Sequence, residues 1–142
     1  MPIVLDASVA LSWCFEDKAD DMSRALLDQA ARNVFVVPPI WILEVGNVLL
    51  MAERTGRITR ADSARFLHLL TELSIEVFPR DERGALPEWM ELARRYGLTA
   101  YDAQYLLVAV ARNAPLATRD GRLGTAANAE GVELWCSAAP EG

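Results

Sequence analysis

Apolar and polar residues fall along this chain in alternating blocks. Five short apolar runs, PIVL (2–5), VFVV (34–37), IEVF (75–78), PLAT (115–118) and VELW (132–135), have the length and composition of β-strands. Between them the apolar positions recur at helical spacing. They predict helices over roughly 7–15, 17–32, 39–55, 60–73, 81–96, 100–113 and 121–129, punctuated by Gly56, Gly97, Gly121 and Gly131. Strands alternating with helices predict a mostly parallel sheet of four or five strands covered on both faces, an α/β/α sandwich in three layers. The 142 residues leave room for one domain, expected over 1–136, with the last six residues, SAAPEG (137–142), as a frayed tail.

A few acidic residues interrupt these blocks. The run IWILEVGNVLLM (40–51) contains nine apolar residues and Gly46, with only Glu44 and Asn47 polar. A helix apolar on nearly all sides is expected to be buried, and residues three apart project on nearly the same side, so Glu44 and Asn47 form one polar stripe. Asp6 follows the first strand directly; alone, with Ser8 nearby, it reads as a turn or helix cap. Asp102, three residues after Thr99, opens an apolar helix in the manner of a capping box. Asp120 follows PLAT and precedes Gly121, which suits an Asp-Gly turn. Glu44 alone is compatible with an internal salt bridge.

Together the four carry more. In an open parallel sheet, ligands bind beyond the carboxyl ends of strands where the strand order reverses, and Asp6 and Asp120 stand at or near such ends. Up to four carboxylates sharing a pocket repel one another unless cations compensate. Oxygen-only donors suit Mg²⁺ or Mn²⁺ rather than zinc.

Composition narrows the choice. Hydrophobic residues at 52% and charged residues at 24% describe an ordinary globular chain. A formal net charge of −6 excludes a general polyanion binder, so any contact with nucleic acid is local. Arg112, Arg119 and Arg122 lie beside the acidic cluster in sequence and are candidates for holding phosphate groups. Cys14 and Cys136 sit in apolar surroundings, which predicts buried reduced thiols in a cytoplasmic protein. His68, the single histidine, lacks a partner for a histidine-based zinc or nucleophile site and reads as structural. The N-terminus carries no basic-then-apolar leader. The most apolar stretch, 33–52, is broken by Pro38, Pro39 and Glu44, so no membrane span is expected.

The stretches VLDASVAL (4–11), Glu44-x-x-Asn47, TAYDAQYLLVA (99–109) and LATRDGRL (116–123), in this order and spacing, resemble the PIN-domain nucleases, and most closely the VapC toxins of bacterial toxin–antitoxin pairs. The resemblance spans essentially the whole chain. It implies an endoribonuclease that hydrolyses RNA phosphodiesters with a metal-activated water, single-stranded or loop RNA being the substrate that fits best. It assigns the metal site, for Mg²⁺ or Mn²⁺, to Asp6, Glu44, Asp102 and Asp120, with the hydroxyls of Ser8 and Thr118 in support beside Asn47. Some members carry a further acidic residue close to the last aspartate; here Thr118 and Arg119 stand there. The resemblance also implies a homodimer and an antitoxin partner that covers the acidic pocket, with Trp13, Phe15 and Trp41 as candidate apolar surface. Two other parallel-sheet classes fail on their own residues. A haloacid dehalogenase-type phosphatase needs Asp-x-Asp where this chain has Ser8, and a phosphate-receiving signalling module needs a late lysine where the only lysine is Lys18. An inactive PIN-like scaffold is the remaining alternative.

Overall fold

The computed structural model of the chain describes residues 1–79 and 82–136; the tail expected over 137–142 lies outside them. Four apolar runs pair as strands, β1 (Pro2–Leu5), β2 (Val34–Val37), β3 (Ile75–Val77) and β4 (Leu116–Ala117), all parallel and ordered β3-β2-β1-β4. Val4, Leu5, Phe35, Val36, Val37, Leu116 and Ala117 are wholly shielded from solvent. Burial of both faces explains why the runs are continuous and not alternating. The fifth run yields one parallel bridge, between Leu116 and Leu134. Its first residue is spent elsewhere: the Val132 N–H closes the preceding helix by bonding the Ala127 carbonyl at 2.8 Å.

The helices among the described residues are α1 (Ala7–Leu11), α2 (Asp21–Asp28), α3 (Ile40–Arg54), α4 (Arg60–Thr71), α5 (Glu82–Tyr96), α6 (Ala100–Arg112) and α7 (Gly121–Ala129), with single 3₁₀ turns at Glu16–Lys18 and Ala30–Arg32. This is the α/β sandwich that the alternation predicts. The helix expected over 17–32 starts late for a local reason. Asp20 accepts from the Ser23 N–H at 2.9 Å while the Ser23 hydroxyl accepts from the Asp20 N–H at 3.1 Å, a reciprocal cap that nucleates α2 at Asp21. Thr59 and Asp62 start α4 in the same way. Helix α6 packs on β1, β2 and β4 and touches α5 and α7, which is why Ala103 through Ala109 are all buried.

Three expectations need correction. Helix α3 is not buried all round. Trp41, Val45, Leu49 and Ala52 dock in one stripe, whereas Ile42, Leu50 and Met51 are about half exposed and Leu43 is 70% exposed. Phe15 and Trp41 are core, and Trp13 is half-buried with its indole N–H donating to the Ser23 carbonyl at 2.8 Å, so none of the three forms an open apolar surface. The thiols are not both buried: Cys14 is partly covered and Cys136 is exposed. His68 lies on the surface of α4, 3.4 Å from Glu72. No helix among the described residues is long and apolar enough to cross a membrane.

The strand order positions the site. The chain runs outward from β1 through β2 to β3 and returns on the other side of β1 as β4, so the order reverses at β1. A crevice opens there, beyond the carboxyl ends of β1 and β4.

Candidate active site

Asp6 is the first residue past β1, caps α1, and is only 8% exposed. Its N–H bonds the Ala117 carbonyl at 3.1 Å, tying the two strand ends together. The Thr118 hydroxyl donates to Asp6 Oδ2 at 2.7 Å and accepts from the Asp120 N–H at 3.0 Å. Asp120 caps α7, its Oδ1 accepting from the N–H groups of Arg122 and Leu123 at 2.9 and 3.2 Å. The Asp-Gly turn is therefore a helix start.

Asp102 stands in the first turn of α6 behind the cap Thr99, whose hydroxyl oxygen accepts from the Asp102 N–H at 3.1 Å. At α2 and α4 the third residue returns a bond to the cap; at α6 that half of the box is not made. The Asp102 carboxyl instead meets the Thr99 hydroxyl and lines the cavity beyond it. Glu44 comes from the second turn of α3, and its Oε1 accepts from the Tyr105 hydroxyl, which in turn accepts from the Ala7 N–H at 3.3 Å. Tyr105 is 1% exposed and links α6, α1 and α3 behind the carboxylates.

All four acidic side chains line one cavity of about 290 Å³, together with Ala7, Ser8, Leu11 and Val48. No lysine or arginine lines it among the described residues. Burial pushes the carboxyls of Asp6, Glu44 and Asp102 above their ordinary range, and neighbouring negative charges push in the same direction: Asp120 on Asp6, Asp6 and Asp102 on Glu44, Asp120 and Asp6 on Asp102. Hydrogen bonds from Thr118 and Ser8 to Asp6, from Tyr105 to Glu44 and from Thr99 to Asp102, with the charge of Arg122, oppose this and are outweighed. Burial and Glu44 together raise the Tyr105 phenol, which stays a neutral donor.

An anionic pocket with only hard oxygen donors fits Mg²⁺ or Mn²⁺. Among the described residues no three acidic, thiol or imidazole side chains stand close enough together to hold a metal ion between them. Like charges with nothing between them spread around a cavity, and Mg²⁺ typically takes one or two carboxylates directly while keeping several waters. The donor set fits the ion; a closed cage does not describe it.

The other residues singled out in the sequence divide. Ser8 lines the acidic cavity. Asn47 lines an adjoining one of about 450 Å³ with Glu44, Ile40, Leu43 and Tyr101. Arg122 rests on the Gly97 carbonyl at 3.4 Å, and Arg119 pairs with Asp20 at 3.2 Å beside the site. Arg112 is corrected. Ten residues beyond Asp102 on one helix is roughly 15 Å, and its guanidinium grips Glu76 at 2.8 and 3.2 Å and lies over Phe78. Tyr105 is the contributor that sequence reading missed; its signal was a phenol three residues after Asp102, on the same face of an otherwise apolar helix.

The family model described as PIN domain matches residues 3–129, a span that contains all four carboxylates. Ribonuclease VapC9 of Mycobacterium tuberculosis is 32% identical to the chain over 128 residues, covering 90% of the chain and 93% of that protein. Among solved structures, PAE2754 from Pyrobaculum aerophilum aligns with a TM-score of 0.66 and 25% identity over 89% of this chain and 84% of its own. VapBC2 from Rickettsia felis, bound to a DNA fragment from its promoter, aligns with a TM-score of 0.68 over 95% and 98%; at 17% identity this likeness concerns the fold alone.

Proposed function

We propose a function from one premise: the chain belongs to the PIN domain family, whose model spans residues 3–129. It is a metal-dependent endoribonuclease and the toxin of a VapBC-type toxin–antitoxin pair, a reading supported by its likeness to relatives that are named VapC ribonucleases. The observation that carries the chemistry is the cavity in which Asp6, Glu44, Asp102 and Asp120 meet with no lysine or arginine among the described residues in its lining. Those four residues would hold Mg²⁺ or Mn²⁺, which supplies Lewis acidity and lowers the pKa of water toward neutrality.

The chain's own residues prepare that site. Thr118 fixes one oxygen of Asp6, and Tyr105 fixes one oxygen of Glu44, so two carboxylates are oriented before any substrate arrives. Asp102 and Asp120 sit at the starts of α6 and α7, where the positive ends of the helix dipoles ease the gathering of negative charge. The backbone of a single-stranded RNA can enter the open crevice and present a phosphodiester to these groups, which duplex geometry restricts. In-line attack by water leaves a 5′-phosphate and a 3′-hydroxyl.

The catalytic unit is a single domain over 1–136 that acts in the cytoplasm as a homodimer. Its second copy covers the exposed apolar side of α3, and an antitoxin segment covers the acidic cavity. The deciding experiment is RNA cleavage by metal-stripped protein with and without added Mg²⁺ or Mn²⁺. Cleavage is expected only with the ion, and undiminished cleavage in EDTA would remove the metal from the mechanism.

A further inference from the structure

Next to the acidic cavity lies a second of about 460 Å³, which shares Ser8, Leu11, Val48 and Asp120 with it. Its lining is of opposite character. Among the described residues Lys18, Arg57 and Arg119 face it against one carboxylate, Asp120, over an apolar floor that includes Leu11, Phe15 and Val48. Lys18 is the chain's only lysine, and the chain as a whole is acidic, so three cations in one cavity are a local concentration and not the background.

The arginines are placed deliberately by the fold. Gly56, at φ +77°, reverses the chain after α3, and the Arg57 N–H bonds back to the Ala52 carbonyl at 2.9 Å. The Arg57 guanidinium lies 4.2 Å over the Phe15 ring and holds both oxygens of Asp17, at 2.9 and 3.0 Å, through Nη2 alone. Arg119 meets Asp20 through Nε at 3.2 Å. A guanidinium carries five N–H donors, so each pair holds its arginine in place with donors to spare. Both pairs are partly exposed, with the arginine side chains 42% and 30% accessible, and exposed pairs exchange partners at little cost.

We propose that this cavity is a substrate subsite for single-stranded RNA. It takes the nucleotide flanking the scissile phosphate, with Lys18, Arg57 and Arg119 holding its backbone phosphate and the exposed Val48 receiving its sugar or base. The inference rests on the ribonuclease reading and adds where the strand runs: from the carboxylates toward the turn at Glu16–Lys18, with Asp17 and Asp20 yielding their arginines to phosphate as it enters. An acidic pocket repels a polyanion, and an adjoining cationic cavity is what allows an acidic protein to bind RNA locally.

The test is fluorescence anisotropy of a short labelled single-stranded RNA in EDTA, where no cleavage occurs, over a range of salt concentrations. Arg57→Gln and Arg119→Gln are each expected to weaken binding about tenfold at low salt. Each should also flatten the plot of log affinity against log salt by about 0.7, the loss of one single-strand phosphate contact. Asp17→Asn, which releases Arg57, should tighten binding by more than Glu72→Gln, which removes the same charge from α4. The subsite is overturned if both arginine variants keep the parent affinity and slope, or if Asp17→Asn weakens binding as Arg57→Gln does, since Arg57 is then a structural clasp. Loss of binding to the antitoxin with unchanged RNA affinity overturns it in favour of a protein segment in the cavity. A parent protein that binds RNA through these residues but never cleaves it with Mg²⁺ or Mn²⁺ supports the subsite and sinks the ribonuclease reading alone.

Discussion

Asp102 separates a cap from a ligand, because the two roles predict opposite effects of one atom. A capping residue changed to asparagine costs at most about 1 kcal/mol and leaves activity alone. In the structure the cap is Thr99, and the Asp102 carboxyl is crowded by Asp120 and Asp6. Asp102→Asn is therefore expected to leave the metal-free protein as stable as the parent or more so, while RNA cleavage at saturating substrate falls at least about a hundredfold. The sign with pH follows from its raised native pKa. A carboxyl that holds its proton more tightly folded than unfolded loses stability as pH rises from the unfolded value, about 3.9, to the higher native one. In EDTA the melting temperature of Asp102→Asn should gain on the parent across that interval and then hold its lead; a constant difference at all pH values would count against crowding. Tyr105 acts at one remove. Tyr105→Phe strips the donor from Glu44 and the acceptor from the buried Ala7 N–H, with an expected cost of about 1 to 3 kcal/mol. Metal affinity should drop roughly 10- to 100-fold, as when a ligand loses its orienting partner. A metal titration followed by thermal melts reads both quantities.

The strands were legible at the level of elements because central parallel strands are apolar on both faces, and β1, β2 and β4 have no polar residue to confuse the reading. The candidate site was legible where it hangs on strand ends, at Asp6 and Asp120. Arg112 was misread because closeness in sequence along a helix is distance in space, and Tyr105 was missed because a tyrosine at a core position has the same period as leucine. Helix α3 shows the deepest limit: an apolar run reads as a helix buried all round, although one of its sides is exposed. Its outward side carries Ile42, Leu43, Leu50 and Met51, an apolar surface of the kind that marks an interface. A homodimer sealed by this side should be broken by Leu43→Asp, since a carboxylate at a contact centre is costly while the same change on a 70% exposed side chain spares the monomer fold. Light scattering after size exclusion is expected to give a dimer for the parent and a monomer for the variant. A parent that is monomeric at every concentration refutes the dimer.

At the scale of the whole molecule, the fold gathers like charges into one place and holds the chain's cations outside it. Acidic residues outnumber basic ones by 20 to 14, yet the imbalance is not spread evenly, because Arg57, Arg95 and Arg112 are each paired with an acid while no basic side chain among the described residues lines the acidic cavity. Folding without an ion must bring those carboxylates together against their repulsion and take Asp6, Glu44 and Asp102 partly out of water. An ion that binds only the folded state removes that cost, and at a hundred times its dissociation constant adds about 2.7 kcal/mol to stability. For a chain of this size that corresponds to a rise in Tm of roughly ten degrees. Two substitutions separate this from general screening of an acidic protein. Asp6→Asn removes the most buried of the four carboxylates, so its metal-induced rise should shrink by more than half. Arg112→Gln breaks an ion pair at the far end of α6 and should keep the full rise, although it makes the whole protein more acidic and would favour any non-specific attraction of cations. Equal rises in both variants would mean that Mg²⁺ or Mn²⁺ acts on net charge, and the four carboxylates would then lose their standing as the metal site.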